Sequence, residues 1–346
     1  MSMTIKKQLV IALLLVGIIP FLVMTITSYV KSEKTVMKQA YSKLEAVREI
    51  KLKQIEQLFH FRKADLEVLA SSRDILRFMD EIETLDDILK IDSSKDYPVK
   101  EEKVQEITKK YDDYFQGFVK TYGYYDLFLI DAEDGHVIYT QARESDYGAN
   151  LKVGSLRNSG LAKAWREAVS SRRATLVDMA PYAPSNGAPA IFMAMPVFDN
   201  GKLRAIAAIQ ISGKMITGVT ASRAGMGETG EMYIVGPDKL MRTDSYLDPV
   251  KHSLKASFAN PSTGSVNTEA VRDAMSGNSD TKVVKDYNGN DVLSAYTTFD
   301  PSKQFNADFK WTLLAEIDLA EVVIPVDELR NNAIIMGGVF LALIIG

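Results

Sequence analysis

From Leu9 to Val30 apolar residues follow one another with only Gly17, Pro20 and a few hydroxyls between them. About 20 such residues cross a bilayer as a helix, which satisfies every backbone polar group within itself. A cleaved leader has a shorter apolar core, about 7–15 residues, and a small-x-small cleavage site. Ser28-Tyr29-Val30-Lys31 is not such a site, so the run reads as an uncleaved anchor. A second apolar run, 333–346, is short for a span and is expected to be the start of a second membrane helix, with the sequence ending inside it. Residues 31–332 are then one extramembrane region held at both ends. Lys6 and Lys7 on one side and Lys31, Lys34 and Lys38 on the other leave the positive-inside count near a tie.

After Lys31 the pattern becomes helical. Val36, Ala40, Leu44, Val47, Ile50, Ile55, Leu58, Leu66, Leu69 and Ile75 recur mostly at steps of three or four, which predicts one long helix to about Ile82 with a single packed stripe. The polar stretch Asp92 to Pro98 breaks it. A second amphipathic helix carries Val104, Ile107, Tyr111, Tyr114, Phe115 and Phe118 and ends at Gly123.

Beyond Tyr124 the period shortens to that of strands. Segments 125–130 and 136–140 flank Asp131-Ala-Glu-Asp-Gly135, a hairpin signature. A helix over 159–170 follows, then strand 174–178, a loop over 179–187, and strands 190–198 and 203–211 joined at Asp199-Asn-Gly201. Strand, strand, helix and three strands make a five-stranded antiparallel sheet with helices on it, an α+β unit. A weaker copy follows, with a short helix over 215–223 and strands at 231–236, 240–243, 281–285, 292–298 and 309–317. It holds a loop-rich insert and a helix over 268–275, and residues 319–332 lead as a helix into the second apolar run.

Roughly 300 residues between the runs suffice for one large or two ordinary domains. The formal charge of −4 with both signs interspersed argues against a nucleic-acid partner, which needs a concentrated basic face. With no cysteine and three dispersed histidines, no thiolate chemistry and no metal site is expected. Gly225-x-Gly227-x-x-Gly230 opens a strand rather than a helix, the reverse of the dinucleotide-binding context. Asp286 to Asp291 lacks the glycine and glutamate of a calcium loop and reads as an Asn-Gly hairpin. No nucleophile, phosphate-loop or metalloprotease motif occurs, so neither catalysis nor a cofactor is expected.

One constellation has the makings of a ligand site. Asp178, Tyr182, Ser185 and Phe192 cluster along a strand, its loop and the next strand, with Arg157 before the third helix and Gln210 on the last strand. Charged groups, an aromatic wall and an amide suit a small polar ligand. Equally, Asp178 and Arg157 read as surface charges and Tyr182 and Phe192 as core.

Several stretches resemble the double-Cache sensor region of bacterial transmembrane receptors, most of all methyl-accepting chemotaxis proteins. They are Glu45 to Glu56, Asp178-Met-Ala-Pro-Tyr-Ala-Pro-Ser185, Gly225-Met-Gly-Glu-Thr-Gly-Glu-Met-Tyr-Ile-Val-Gly236, Leu240 to Ser245, Val292 to Tyr296 and Trp311 to Asp318. The resemblance implies a long N-terminal helix carrying two tandem PAS-like antiparallel-sheet units between membrane helices. It implies a cytoplasmic segment 1–8, membrane helix 9–30, stalk 31–99, membrane-distal unit 100–213, membrane-proximal unit 214–318, exit helix 319–332 and second membrane helix from 333. It further implies a homodimer in the bacterial inner membrane, a periplasmic sensor whose distal unit binds a small molecule, and cytoplasmic chemotaxis partners. Amino-acid-binding members share an Arg-x-Trp-Tyr run at the start of the third helix. Here Arg157 is followed by Asn158, Ser159 and Gly160, so the partner aromatics are missing and a standard amino-acid site is not expected. A sensor feeding a histidine kinase or nucleotide cyclase, or a ligand-free ectodomain docking a binding protein, are the alternatives.

Overall fold

The computed structural model describes residues 5–345. Residues 1–4 of the expected cytoplasmic segment, and Gly346, lie outside it. Helix α1 (Ile5–Ala70) runs unbroken for 66 residues, through the apolar stretch and Pro20, into the stalk. At 1.5 Å per residue that is a rod of about 100 Å. Among the described residues this is the one helix long and apolar enough to cross a membrane, and its apolar part is unburied.

The stalk is shorter than its periodicity predicts. It stops at Ala70, and Ser72 caps a separate helix α2 (Arg73–Leu89) by accepting a hydrogen bond from the Asp74 amide. Consecutive serines offer the backbone local hydrogen bonds that compete with a helix interior, so the break needs neither glycine nor proline. Helix α3 (Glu102–Tyr122) ends on Gly123 in the left-handed conformation, as expected.

The first sheet contains β1 (Asp126–Asp131), β2 (Val137–Thr140), β3 (Thr175–Tyr182), β4 (Ala188–Asp199) and β5 (Lys202–Ile211), in the order β2-β1-β5-β4-β3, all antiparallel. Helix α4 (Gly160–Ser171) covers one face, over Phe128, Ile130, Val177, Ala194 and Ala208. Leu127, Leu129, Ile191, Met193 and Ile209 point the other way into a core shared with α1, α2 and α3. Strand β3 runs four residues beyond the predicted end, because a bulge between Val177 and Ala180 lets pairing resume through Tyr182.

Helix α5 (Gly213–Thr220) leads to the second unit: β6 (Glu231–Val235), short helices α6 (Leu254–Ala259) and α7 (Pro261–Gly264), α8 (Glu269–Met275), β7 (Asp280–Lys285), β8 (Asp291–Phe299) and β9 (Trp311–Asp318). Its sheet has four strands, β6-β9-β8-β7. The expected strand at 240–243 does not form. Only Met241 bridges to Val235, because the Ile234 amide is taken by the Thr243 hydroxyl at 2.9 Å in place of a backbone carbonyl. The loop-rich insert contains two short helices, α6 and α7, too brief for their periodicity to show in the sequence.

The units share a core. Phe59 of α1 stacks on Phe299 at 5.4 Å and meets Trp311 at 5.7 Å and Phe305 at 6.5 Å between ring centres. Strand β9 ends at Asp318 and α9 (Leu319–Ile345) starts at the next residue. Helix α9 returns along α1. A Cβ on Gly17 would lie 2.8 Å from the Phe340 ring, and one on Gly337 would lie 3.2 Å from the Phe21 ring. Each helix thus offers a glycine to the other's phenylalanine, the close approach by which apolar helices associate in lipid.

Candidate functional site

The α4-facing surface of the first sheet is apolar for most of its extent and becomes polar at one end. There Asp126 stands opposite Gln210, and Gln210 opposite Phe192, so the three side chains lie abreast on one face. Asp126, at 0% exposure, accepts the amides of Leu127, Gln141 and Ala142 at 2.7–2.9 Å and the Thr140 hydroxyl.

The segment after β2 supplies two more acids, Glu144 and Asp146. Gly148 holds that segment against the loop before α3. Its φ is +86°, and a Cβ there would sit 2.7 Å from the Tyr97 carbonyl oxygen, a backbone approach that only glycine allows. Asp146 is fully buried and accepts the Tyr182 hydroxyl at 2.7 Å. The Tyr182 ring meets Phe192 edge-on at 4.9 Å, and Phe192 lies under Gly160 at the start of α4. Glu144 accepts Ser185 Oγ at 2.9 Å and Tyr125 OH at 2.8 Å, and Gln210 Nε2 donates to Ser185 Oγ at 3.3 Å.

This cluster has no counter-ion among the described residues. Arg143 turns to Asp112 and Lys152 toward Asp134. Burial pushes both Asp126 and Asp146 up to about 6 from the ordinary aspartate value. Asp146 Oδ1 and Gln210 Oε1 are buried with no hydrogen-bond partner among the described residues, which is costly for buried acceptors.

Of the six residues expected at the site, the structure brings Tyr182, Ser185, Phe192 and Gln210 together and leaves two outside. Asp178 sits in the β3 bulge and faces the second unit. Its carboxylate accepts Arg242 Nε at 2.9 Å, Arg242 Nη2 at 2.7 Å and Trp311 Nε1 at 2.7 Å. Arg157 is exposed and donates to its neighbour Gly154 O at 3.4 Å. Asp126, Glu144 and Asp146 were missed. Asp126 had a signal, since strand alternation puts it on the face of Phe128 and Ile130, where an acid is out of place. Glu144 and Asp146 lie in an irregular segment whose facing no periodicity reveals.

The second unit has a buried acid pair of its own. Glu231 and Glu316 are direct cross-strand neighbours on β6 and β9, each 2% exposed. Tyr233 OH donates to Glu316 at 2.7 Å, and Glu231 accepts Ser245 Oγ at 2.8 Å and the Tyr287 hydroxyl. Burial pushes Glu316 up to about 7.

Comparison with known proteins places this architecture. The Cache domain family model matches residues 29–326. The ligand-binding domain of the Pseudomonas fluorescens chemoreceptor CtaA in complex with L-isoleucine superposes with a TM-score of 0.52 at 15% identity, covering 84% of this chain and 97% of that one. The ligand-binding domain of the Campylobacter jejuni chemoreceptor Tlp3 in complex with L-valine gives 0.53 at 11% identity, covering 84% and 96%. No curated relative matches the chain.

Proposed function

The chain belongs to the Cache domain family, and from that premise we propose that it is the sensor region of a bacterial transmembrane chemoreceptor of the methyl-accepting type. It binds a small extracellular molecule in the first unit and passes the event across the inner membrane as a homodimer. Residues N-terminal to α1's apolar stretch lie in the cytoplasm and the sheets in the periplasm. The C-terminal side of α9 leads to the cytoplasmic chemotaxis proteins. The chain itself catalyses nothing.

The observation that carries this reading is connectivity. The apolar helix α1 continues without a break into the rod that supports both units, and β9 passes into α9 with no residue between them. Occupation of the first unit, transmitted through Asp178 to Trp311 at the start of β9, reorients α9 against α1. A ligand biases such a change only by binding the two arrangements unequally.

The test joins this chain to the signalling half of a chemoreceptor in cells that lack their own receptors. Swimming bias is then recorded against amino acids, organic acids and amines. A response to one chemical class, lost when Arg242 is replaced by Met, is expected. A membrane-inserted hybrid that answers no small molecule overturns the proposal.

A further inference from the structure

We propose that the first unit's acidic cluster takes a protonated primary amine that carries no carboxylate. This rests on the sensor reading above and names the ligand class of the same site.

The site is a set of acceptors short of donors. Three carboxylates, Asp126, Glu144 and Asp146, gather around Tyr182 without a cation. Asp126 Oδ1 accepts three amides and Oδ2 the Thr140 hydroxyl, so that side chain fixes the segment and supplies field. Asp146 Oδ1 and Gln210 Oε1 are different: both are buried and both lack a donor. An ammonium group provides a positive charge and three N–H donors, the two things this cluster lacks. A quaternary ammonium brings the charge without the donors and leaves the two oxygens unsatisfied.

The same geometry rejects a carboxylate on the ligand. Arg157, the cation nearest in sequence to the start of α4, is exposed and bonded to Gly154. Arg143 is held by Asp112. A zwitterion would set its negative end among acids with nothing to pair it. Phe192 and the Tyr182 ring supply an apolar wall beside the acceptors, which suits a hydrocarbon body on the amine.

Calorimetry on the whole chain in lipid nanodiscs decides it with a matched series: 3-methylbutylamine, 1,4-diaminobutane, L-leucine, 3-methylbutanoate and tetramethylammonium. At least one primary amine is expected to bind at least about tenfold tighter than L-leucine, with 3-methylbutanoate and tetramethylammonium silent. Asp146→Asn should weaken the amine by about tenfold or more, and Glu144→Gln, at a half-buried position, carries the same test if the first variant does not fold. Tighter binding of L-leucine or 3-methylbutanoate, or amine affinity unchanged in both variants, overturns the amine inference and leaves the sensor reading standing. No binding by any member overturns the inference too, and the sensor reading then falls only if the hybrid receptor is also unresponsive to every compound.

Discussion

Asp178 in the bulge of β3 and Arg242 beyond β6 are joined by two parallel hydrogen bonds, Nε to Oδ1 at 2.9 Å and Nη2 to Oδ2 at 2.7 Å. The guanidinium is 1% exposed and is held from its other side by Asp238 at 2.9 Å. This is the forked geometry in which arginine is not replaceable by lysine. It ties the strand that leads to Tyr182 to the second unit, whose Trp311 donates to the same carboxylate.

Removing one partner of a buried pair strands the other. Arg242→Met is expected to cost about 3–5 kcal/mol of stability, and Asp178→Asn less. A double-mutant cycle by chemical denaturation should return a coupling of at least about 1 kcal/mol. Additive effects would show that the two units do not depend on this contact.

Gly236 makes the room that Arg242 occupies. A Cβ there would lie 2.1 Å from the guanidinium carbon, so Gly236→Ala must expel the side chain from its seat. We expect a loss of about 1–3 kcal/mol, largely abolished in an Arg242→Met background. An alanine variant melting at the wild-type temperature would contradict this packing.

The Glu231–Glu316 pair predicts a pH effect of definite sign. Burial raises Glu316 from 4.5 to about 7, so the folded chain holds a proton that the unfolded chain releases earlier. Stability from this group is complete below about pH 4.5 and is lost as pH rises through about 7. The loss is on the order of 3 kcal/mol. Glu316→Gln should flatten the fall in melting temperature between pH 5 and 8, and parallel curves for the two proteins would refute the assignment.

The absence of cysteine from the sequence makes the apolar helix pair easy to probe. With Phe21→Cys and Gly337→Cys as the only thiols, a short bis-maleimide applied to native membranes should link α1 to α9 within one chain. Gly17→Leu, combined with the same reagent on Phe21→Cys and Gly337→Cys, should abolish the link. Equal linkage in both would mean that the glycines do not set the approach.

Much of the fold was legible because periodicity is local. The change from steps of three or four to steps of two after Tyr124 marks where helices yield to strands, and Gly123 and Asn200-Gly201 turn the chain where expected. What failed depended on distance or on competition. The Ser71–Ser72 break opposes an apolar stripe that continues across it. Residues 240–243 follow a turn as a strand would, yet the Thr243 hydroxyl breaks the ladder and Arg242 is claimed by an aspartate 64 positions away. For the same reason Asp178 appeared to be a ligand group when it is bound to the second unit.

The exchange of Gly17 for Phe340 and of Gly337 for Phe21 bears on what kind of message the helix pair can carry. One turn above and below Gly17, α1 presents Leu13 and Phe21, so a Phe340 ring sliding along the axis meets a bulky side chain in either direction. The two rings sit like pins in matched sockets and hold the helices at a single height. An axial slide of α9 against α1 is therefore the displacement that this pair of contacts resists.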